Sequence, residues 1–319
     1  RIGAGQFASA LDFGLARAKR IAREWPRRQR SQCNAGFASL SDLIAEASAG
    51  KRREIVMQRA GATGVIAVTN SLWRLGAQPA AGAAGSAAPG GRALTGATTG
   101  AVYGLDNVSA DTRHIVSAWA QASVAGQTLL LYDRLFDVAI GLTGIATAMS
   151  VTGVPSRYQS STVTNADYAG GNFAFIEVGG TALAATGHNW TVCRYRNQAN
   201  TDTISFPSMA GNSGAIVDRL DHPTSSWFFP LASGDTGVMD LDQIQASANI
   251  ATGAANAVVG HPLAWLPIPL ANIACQYDGI NTAFNLVRVF DGAALAWLEM
   301  TKPATTATNY NAGVTMIHG

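Results

Sequence analysis

Charge is scarce in this chain of 319 residues, at 13% Asp, Glu, Lys and Arg against about 25% in an average soluble domain. With 48% hydrophobic residues, that scarcity excludes a wholly disordered polymer, because there is enough apolar surface to build a core. Long apolar runs are also missing, and without about 18 consecutive apolar residues no helix can cross a bilayer. Cysteine is rare. Cys33, Cys193 and Cys275 stand far apart with no CxxC pair, which argues against a disulfide framework and against a thiolate zinc site.

Nucleotide-binding signatures are absent as well. No GxGxxG follows a strand-like run and no GxxxxGK[ST] occurs, so neither a dinucleotide nor a nucleoside triphosphate is supported. The histidines His114, His188, His222, His261 and His318 are scattered singly, with no HxH or HxxxH pair to seat a metal. His222 and His261 each precede a proline, which reads as an extended loop entry holding a turn or satisfied core histidine. Asp235, Asp240 and Asp242 lack the DxDxDG calcium pattern and read as a solvated loop. Gly211-Asn212-Ser213-Gly214 resembles the nucleophile turn of trypsin-like serine proteases. Neither upstream histidine, His114 or His188, stands in that family's Ala-Ala-His-Cys context, and Gly, Asn and Ser are ordinary turn residues. The expectation is no enzyme, no cofactor, no metal and no small-molecule substrate, with a serine hydrolase as the weakest alternative.

What charge there is clusters at one end. Residues 1–60 carry 12 of the 22 Lys and Arg but 5 of the 20 Asp and Glu, so this part is +7 and the remainder −5. Arg17, Lys19, Arg20, Arg23, Arg27, Arg28 and Arg30 make the densest cluster, and Lys51, Arg52, Arg53 and Arg59 a second. Such asymmetry suits a nucleic acid or another polyanion, or equally a solvated helix face or an arm on an acidic neighbour.

The periodicities divide the chain into a basic, partly helical arm (1–75), an extended Gly/Ala/Pro-rich loop (76–104) and a β-rich body (105–319). In the arm, Phe7, Leu11, Leu15, Ala18, Ile21, Ala22 and Trp25 recur at helical spacing before Pro26. A second helix starts at Ser39, with Asp42 as a weak capping box, the stripe Leu40, Leu43, Ile44 and Ala47, and Gly50 as its stop. A strand is expected over Val65 to Thr69. The loop has one charged residue, Arg92, and too few large apolar groups for a core. In the body, short apolar runs at Thr128–Phe136, Phe173–Val178, Trp190–Tyr195, Ala257–Val259, Asn285–Phe290 and Leu295–Met300 read as strands. The first has Leu129, Leu131 and Leu135 on one side and Leu130, Tyr132 and Phe136 on the other, a strand buried on both faces. Asp278-Gly279 and Asp291-Gly292 are candidate hairpin turns. The expected fold is mainly β, a sandwich or jelly roll. Its competitor is the α+β shell fold of tailed phages, for which Thr112–Ala125 is the only candidate spine helix.

The aromatics suggest contacts. Trp227-Phe228-Phe229 precede Pro230, and Trp265 lies in a segment with prolines at 262, 267 and 269, expected to be an edge strand or extended loop. Trp73, Trp227, Phe228 and Trp265 are candidate intersubunit anchors, against the alternative of core burial.

Asn70-Ser71-Leu72-Trp73-Arg74, Leu129 to Phe136, Trp190 to Gln198, Ala232 to Gly237 and the Thr/Ala/Asn-rich region from Lys302 make the chain resemble structural proteins of tailed-bacteriophage virions. The resemblance spans roughly residues 39–319 and leaves out residues 1–36. It implies a non-enzymatic capsid component present in many copies, either the major shell subunit or a cement protein, assembled in the host cytoplasm. The implied partners are copies of itself, other virion proteins and packaged DNA on the inner face, with no membrane. The runner-up is a carbohydrate- or receptor-binding β module, whose tryptophans would be stacking platforms for sugar rings.

Overall fold

The computed structural model describes residues 37, 39–61, 65–102, 105, 107–108, 111–151, 153–158, 171–202, 204–223, 227–280, 286–300 and 305–319. The helix expected before Pro26, Cys33 and the basic residues Arg17, Lys19, Arg20, Arg23, Arg27, Arg28 and Arg30 lie outside these. Among the described residues one helix, α1 (Leu40–Ser48), is followed by β1 (Arg52–Ala60), β2 (Asn70–Ser71), β3 (Ala77–Gln78), β4 (Ser86–Ala87), β5 (Arg92–Ala93), β6 (Arg113–Ala122), β7 (Gln127–Ile140), β8 (Thr147–Ala148) and β9 (Phe173–Val178). Then come β10 (Asn189–Asn197), β11 (Ile204–Ser205), β12 (Met209–Ala210), β13 (Val238–Ala246), β14 (Ala255–Ile268), β15 (Cys275–Asp278), β16 (Val287–Val289), β17 (Leu295–Met300) and β18 (Asn309–His318).

The protein is mainly β, with antiparallel sheets that curl into a half-barrel. One sheet runs β15-β6-β18-β1-β3 with β16 also on β6, a second runs β11-β10-β13-β8 with β12 on β10, and a third runs β2-β17-β7-β14-β9 with β4 and β5 on β7. Only the two-residue β4 pairs in parallel among these. Apolar residues of all three sheets meet in one core, and a smaller cluster fills the other face of the third sheet. That second cluster explains why β7 is buried along nearly its whole length, as its unbroken apolar run requires.

Local chemistry sets the helix. Ser39 Oγ accepts the Asp42 N–H at 3.1 Å, and Gly50 ends the segment at a φ of +85°, the left-handed cap that glycine adopts without a Cβ clash. Leu43 faces the body, whereas Leu40 and Ile44 of the same stripe are exposed.

Several expectations are corrected. Residues 52–60, taken as part of a basic arm, form β1 between β18 and β3, with Ile55, Met57 and Arg59 inward and the intervening residues outward. Val65 to Thr69 is not a strand but a turn, in which Ala67 has a φ of 62°. Thr112–Ala125 is no helix: it carries β6, whose alternating Ala118, Ala120 and Ala122 point into the core. Alanine favours helices intrinsically, but here three paired neighbours and the core override that weak preference. Among the described residues there is no spine helix. Asp278-Gly279 is no hairpin, because β15 and β16 both pair with β6, one after the other along the same edge. Asp291-Gly292 carries the chain from the first sheet to the third. The prolines behave as expected: β14 has β9 beside it only over Ala255–Gly260, and Pro262 and Pro267 fall where β7 is its sole ladder partner.

A bulge changes the faces of β7. Phe136 pairs with Val259 and Arg134 with Gly260, so Leu135 is the extra residue. The alternation slips by one there, which places Phe136 in the main core beside Leu135 rather than with Leu130 and Tyr132. The same slip brings Arg134 and Asp137 to one face. Arg134, fully buried, donates to Glu177 at 2.8 and 3.2 Å and to Asp137 at 3.0 and 3.2 Å, and Arg92 donates to Asp137 at 2.8 Å. Its guanidinium lies 4.8 Å over the Trp73 ring. Burial disfavours the charge, but Glu177, Tyr132 and Asp137 outweigh it and raise the Arg134 pKa. On the other face Asp133 accepts from Arg157 at 2.7 and 3.0 Å and from Tyr158 at 3.2 Å.

The Gly/Ala/Pro-rich stretch lies across this layer. Trp73 is completely buried beneath it, Trp73 Nε1–H donates to the Ala83 carbonyl at 3.0 Å, and a Cβ on Gly82 would overlap the indole. Arg59 reaches in from β1 and donates to the carbonyls of Leu72, Trp73, Pro79, Ala80 and Gly100. Burial pulls its pKa to about 10, so it stays charged at neutral pH. A stretch with no core of its own is thus tied at the carbonyls of Pro79, Ala80 and Gly100 to the same cation that holds those of Leu72 and Trp73.

Removing the Arg134 charge leaves Asp137 and Glu177 buried and undercompensated. Arg134→Met should cost about 3–5 kcal/mol in urea denaturation; a loss below about 1 kcal/mol, the scale of an exposed pair, would contradict this role.

Candidate functional site

The four aromatic anchors part company in the structure. Trp73 is core, so the expectation of an intersubunit contact fails there; its indole is consumed by the loop and by Arg134. Trp227 and Trp265 come together at the surface with ring centroids 5.6 Å apart and planes at 42°, and they remain 39% and 41% exposed. Phe228, next to Trp227 in sequence, turns to the interior, stacked on Phe173 at 4.1 Å and packed on the smaller core cluster. Trp265 belongs to β14 directly opposite Leu130 of β7, on the stretch that has no second ladder partner. Leu270 and Ile273, just beyond β14, are also exposed. Prolines 262 and 267 supply no N–H to this stretch, so it is poorly made for adding another strand and well made for side-chain anchoring.

The Gly211–Gly214 turn has a different setting from that of a nucleophile. His188 approaches it, but Nε2 lies 2.8 Å from Asp221 Oδ2 and Nδ1 lies 2.9 Å from the Thr186 carbonyl. Both neighbours are acceptors, so both ring nitrogens donate and none is left to take a proton from a hydroxyl. Asp221 is occupied too, by Trp190 Nε1–H at 2.9 Å and the Asn212 N–H at 2.6 Å. Gly211 is required by packing, since a Cβ there would overlap the His188 ring. Burial opposes the His188 charge, but the Asp221 hydrogen bond, the Thr186 carbonyl and the Asp221 charge prevail and raise its pKa above 6.5. The sequence placed no weight on this pair because His188 and Asp221 are 33 residues apart.

Of the remaining histidines, His114 and His222 are buried, His261 is half-buried, and His318 is half-exposed with Nδ1 2.8 Å from Asp111 Oδ2. His222 accepts the Ile176 N–H at 3.1 Å and is pushed down to about 4 by burial. His261 stacks on Tyr158 at 3.6 Å, meets Asn172 Oδ1 at 2.8 Å and is pushed down to about 3 by burial. His114 falls to about 4 through burial and the Arg288 charge. Asp240 and Asp242 are not in a loop but on β13; Asp240 faces Arg196 at 3.5 Å and burial raises it to about 6. Among the described residues no three His, Cys, Asp or Glu side chains gather as metal ligands would, and no helix is long and apolar enough to cross a membrane. The chain matches no protein-family model, no curated protein and no solved structure.

The His188–Asp221 pair predicts a pH dependence. Because the folded pKa is raised, its contribution is complete below about pH 6.5, the free imidazole value, and disappears as pH rises through the folded value. The stability difference between wild type and His188→Gln, measured by denaturation from pH 5 to 9, should therefore shrink with rising pH; a constant or growing difference would contradict a charged His188.

Proposed function

We propose that the protein is a non-enzymatic structural component of a tailed-bacteriophage virion, present in many copies in or on the capsid shell. The observation that carries this reading is the placement of its apolar surface. The body buries most of its large apolar groups, yet it leaves Trp227 and Trp265 side by side and partly exposed at the surface and Leu40 and Ile44 of α1 exposed. Exposed aromatic anchors of this kind are what interfaces use.

The phage resemblance of the phrases Leu129 to Phe136, in β7, and Trp190 to Gln198, mostly in β10, is the second support for this reading. A sandwich- or jelly-roll-like curl suits a subunit that presents a broad face to neighbours. Because β6 takes the place of the expected spine helix, a capsid-stabilising protein bound on the shell is favoured over the α+β shell subunit itself. The partners on this reading are copies of the chain and other virion proteins, in the capsid, with packaged DNA as the polyanion for the basic residues near the N-terminus.

The test is Trp227→Ser with Trp265→Ser. Both side chains are partly exposed, so the melting temperature should hold while self-association in sedimentation velocity weakens at least about tenfold. Unchanged association with an unchanged melting temperature would remove this face as the contact.

A further inference from the structure

The solvent face of the first sheet carries a row of side chains that no assembly argument uses. Gln78 of β3 pairs with Gln58 of β1, Gln58 pairs with Asn311 of β18, and Asn311 pairs with Gln121 of β6. Four carboxamides therefore stand side by side across four adjacent strands, about 4.8 Å apart from strand to strand. Beside them a groove of about 500 Å³ is bordered by Gln58, Gln121, Asn309, Asn311, Asn272 and Ser123, among others. Gln121 Nε2–H donates to the Asn272 carbonyl at 2.9 Å, which fixes one wall.

The next row along the same face is Val56, Gly313 and Trp119. Trp119 folds across Gly313 so closely that a Cβ on the glycine would overlap the indole. The half-buried ring is thereby laid over the sheet next to the amides. The row holds no charge: the Arg59 guanidinium turns inward to five carbonyls, and the outward Glu54 lies further along β1 with Arg52 at 3.6 Å.

We propose that this face binds a neutral polysaccharide. Each carboxamide offers one acceptor and two donors, so neighbouring amides match vicinal hydroxyls, which both donate and accept. The indole supplies a flat apolar surface for the C–H face of a sugar ring. A nucleic acid would need cations along the row, a metal would need carboxylates and an apolar partner would need more than Val56 and Trp119. The chemistry present suits an uncharged polyhydroxylated chain lying across the strands. This site is on a different sheet from the Trp227–Trp265 pair and stands independently of the assembly role.

The experiment is calorimetric titration of the full chain with maltohexaose, cellohexaose and chitohexaose, and with polygalacturonate as the anionic counterpart. At least one neutral oligosaccharide should bind with a Kd of about 1 mM or tighter. Gln58→Ala with Asn311→Ala, both exposed, should weaken that binding at least about tenfold without shifting the melting temperature, and Trp227→Ser should leave it intact. The proposal is overturned if no neutral oligosaccharide binds, if the double amide variant binds as wild type, if Trp227→Ser abolishes binding, or if polygalacturonate binds equally well.

Discussion

A guanidinium buried without any solvent contact organises this protein. Arg134 sits in the middle of β7, and a charge there is tolerable only if carboxylates arrive from the same strand and from β9, which Asp137 and Glu177 do. The Leu135 bulge makes the first of these geometrically feasible, since without the slip in alternation Arg134 and Asp137 would face opposite sides. Covering that ionic layer then requires something on top. Trp73 lies over the guanidinium, and the Gly/Ala/Pro-rich stretch covers Trp73 and places Arg92 on Asp137. Arg59, from another sheet, holds the stretch by its carbonyls. Sheet, loop and charge layer are consequently joined by shared contacts.

Much of the β architecture is visible in the chain because burial on both faces leaves an unmistakable apolar run: β7, β9 and β17 are read from Leu129 to Phe136, Phe173 to Val178 and Leu295 to Met300. The proline-rich edge of β14 and the Ser39 cap are legible for similarly local reasons. The failures are equally physical. In β1 the alternation of Ile55, Met57 and Arg59 is real, but a buried arginine reads as surface charge until its carbonyl partners are known. In β6 alanines conceal a strand, and the two Asp-Gly turns look like hairpins because turn chemistry does not reveal which strands they join.

The candidate sites were only partly legible. Trp227 and Trp265 announce themselves as aromatics near prolines, although their contact depends on folding. The amide row is invisible along the chain, because positions 58, 78, 121 and 311 become neighbours only through strand register. His188 and Asp221 likewise meet only in the fold, and their mutual saturation gives a structural ion pair in place of a catalytic one.

Arg134, Asp137 and Glu177 are occupied with one another, as are His188 and Asp221, and on the proposed reading the protein acts through its surfaces. The role proposed above requires the protein to meet copies of itself. The most direct measurement is the mass of the full chain by light scattering, with electron microscopy of the same sample, at low and high salt. A stable oligomer that does not grow into shells, such as a dimer or trimer, is the result expected on the proposed reading. A monomer at every salt concentration would contradict the account.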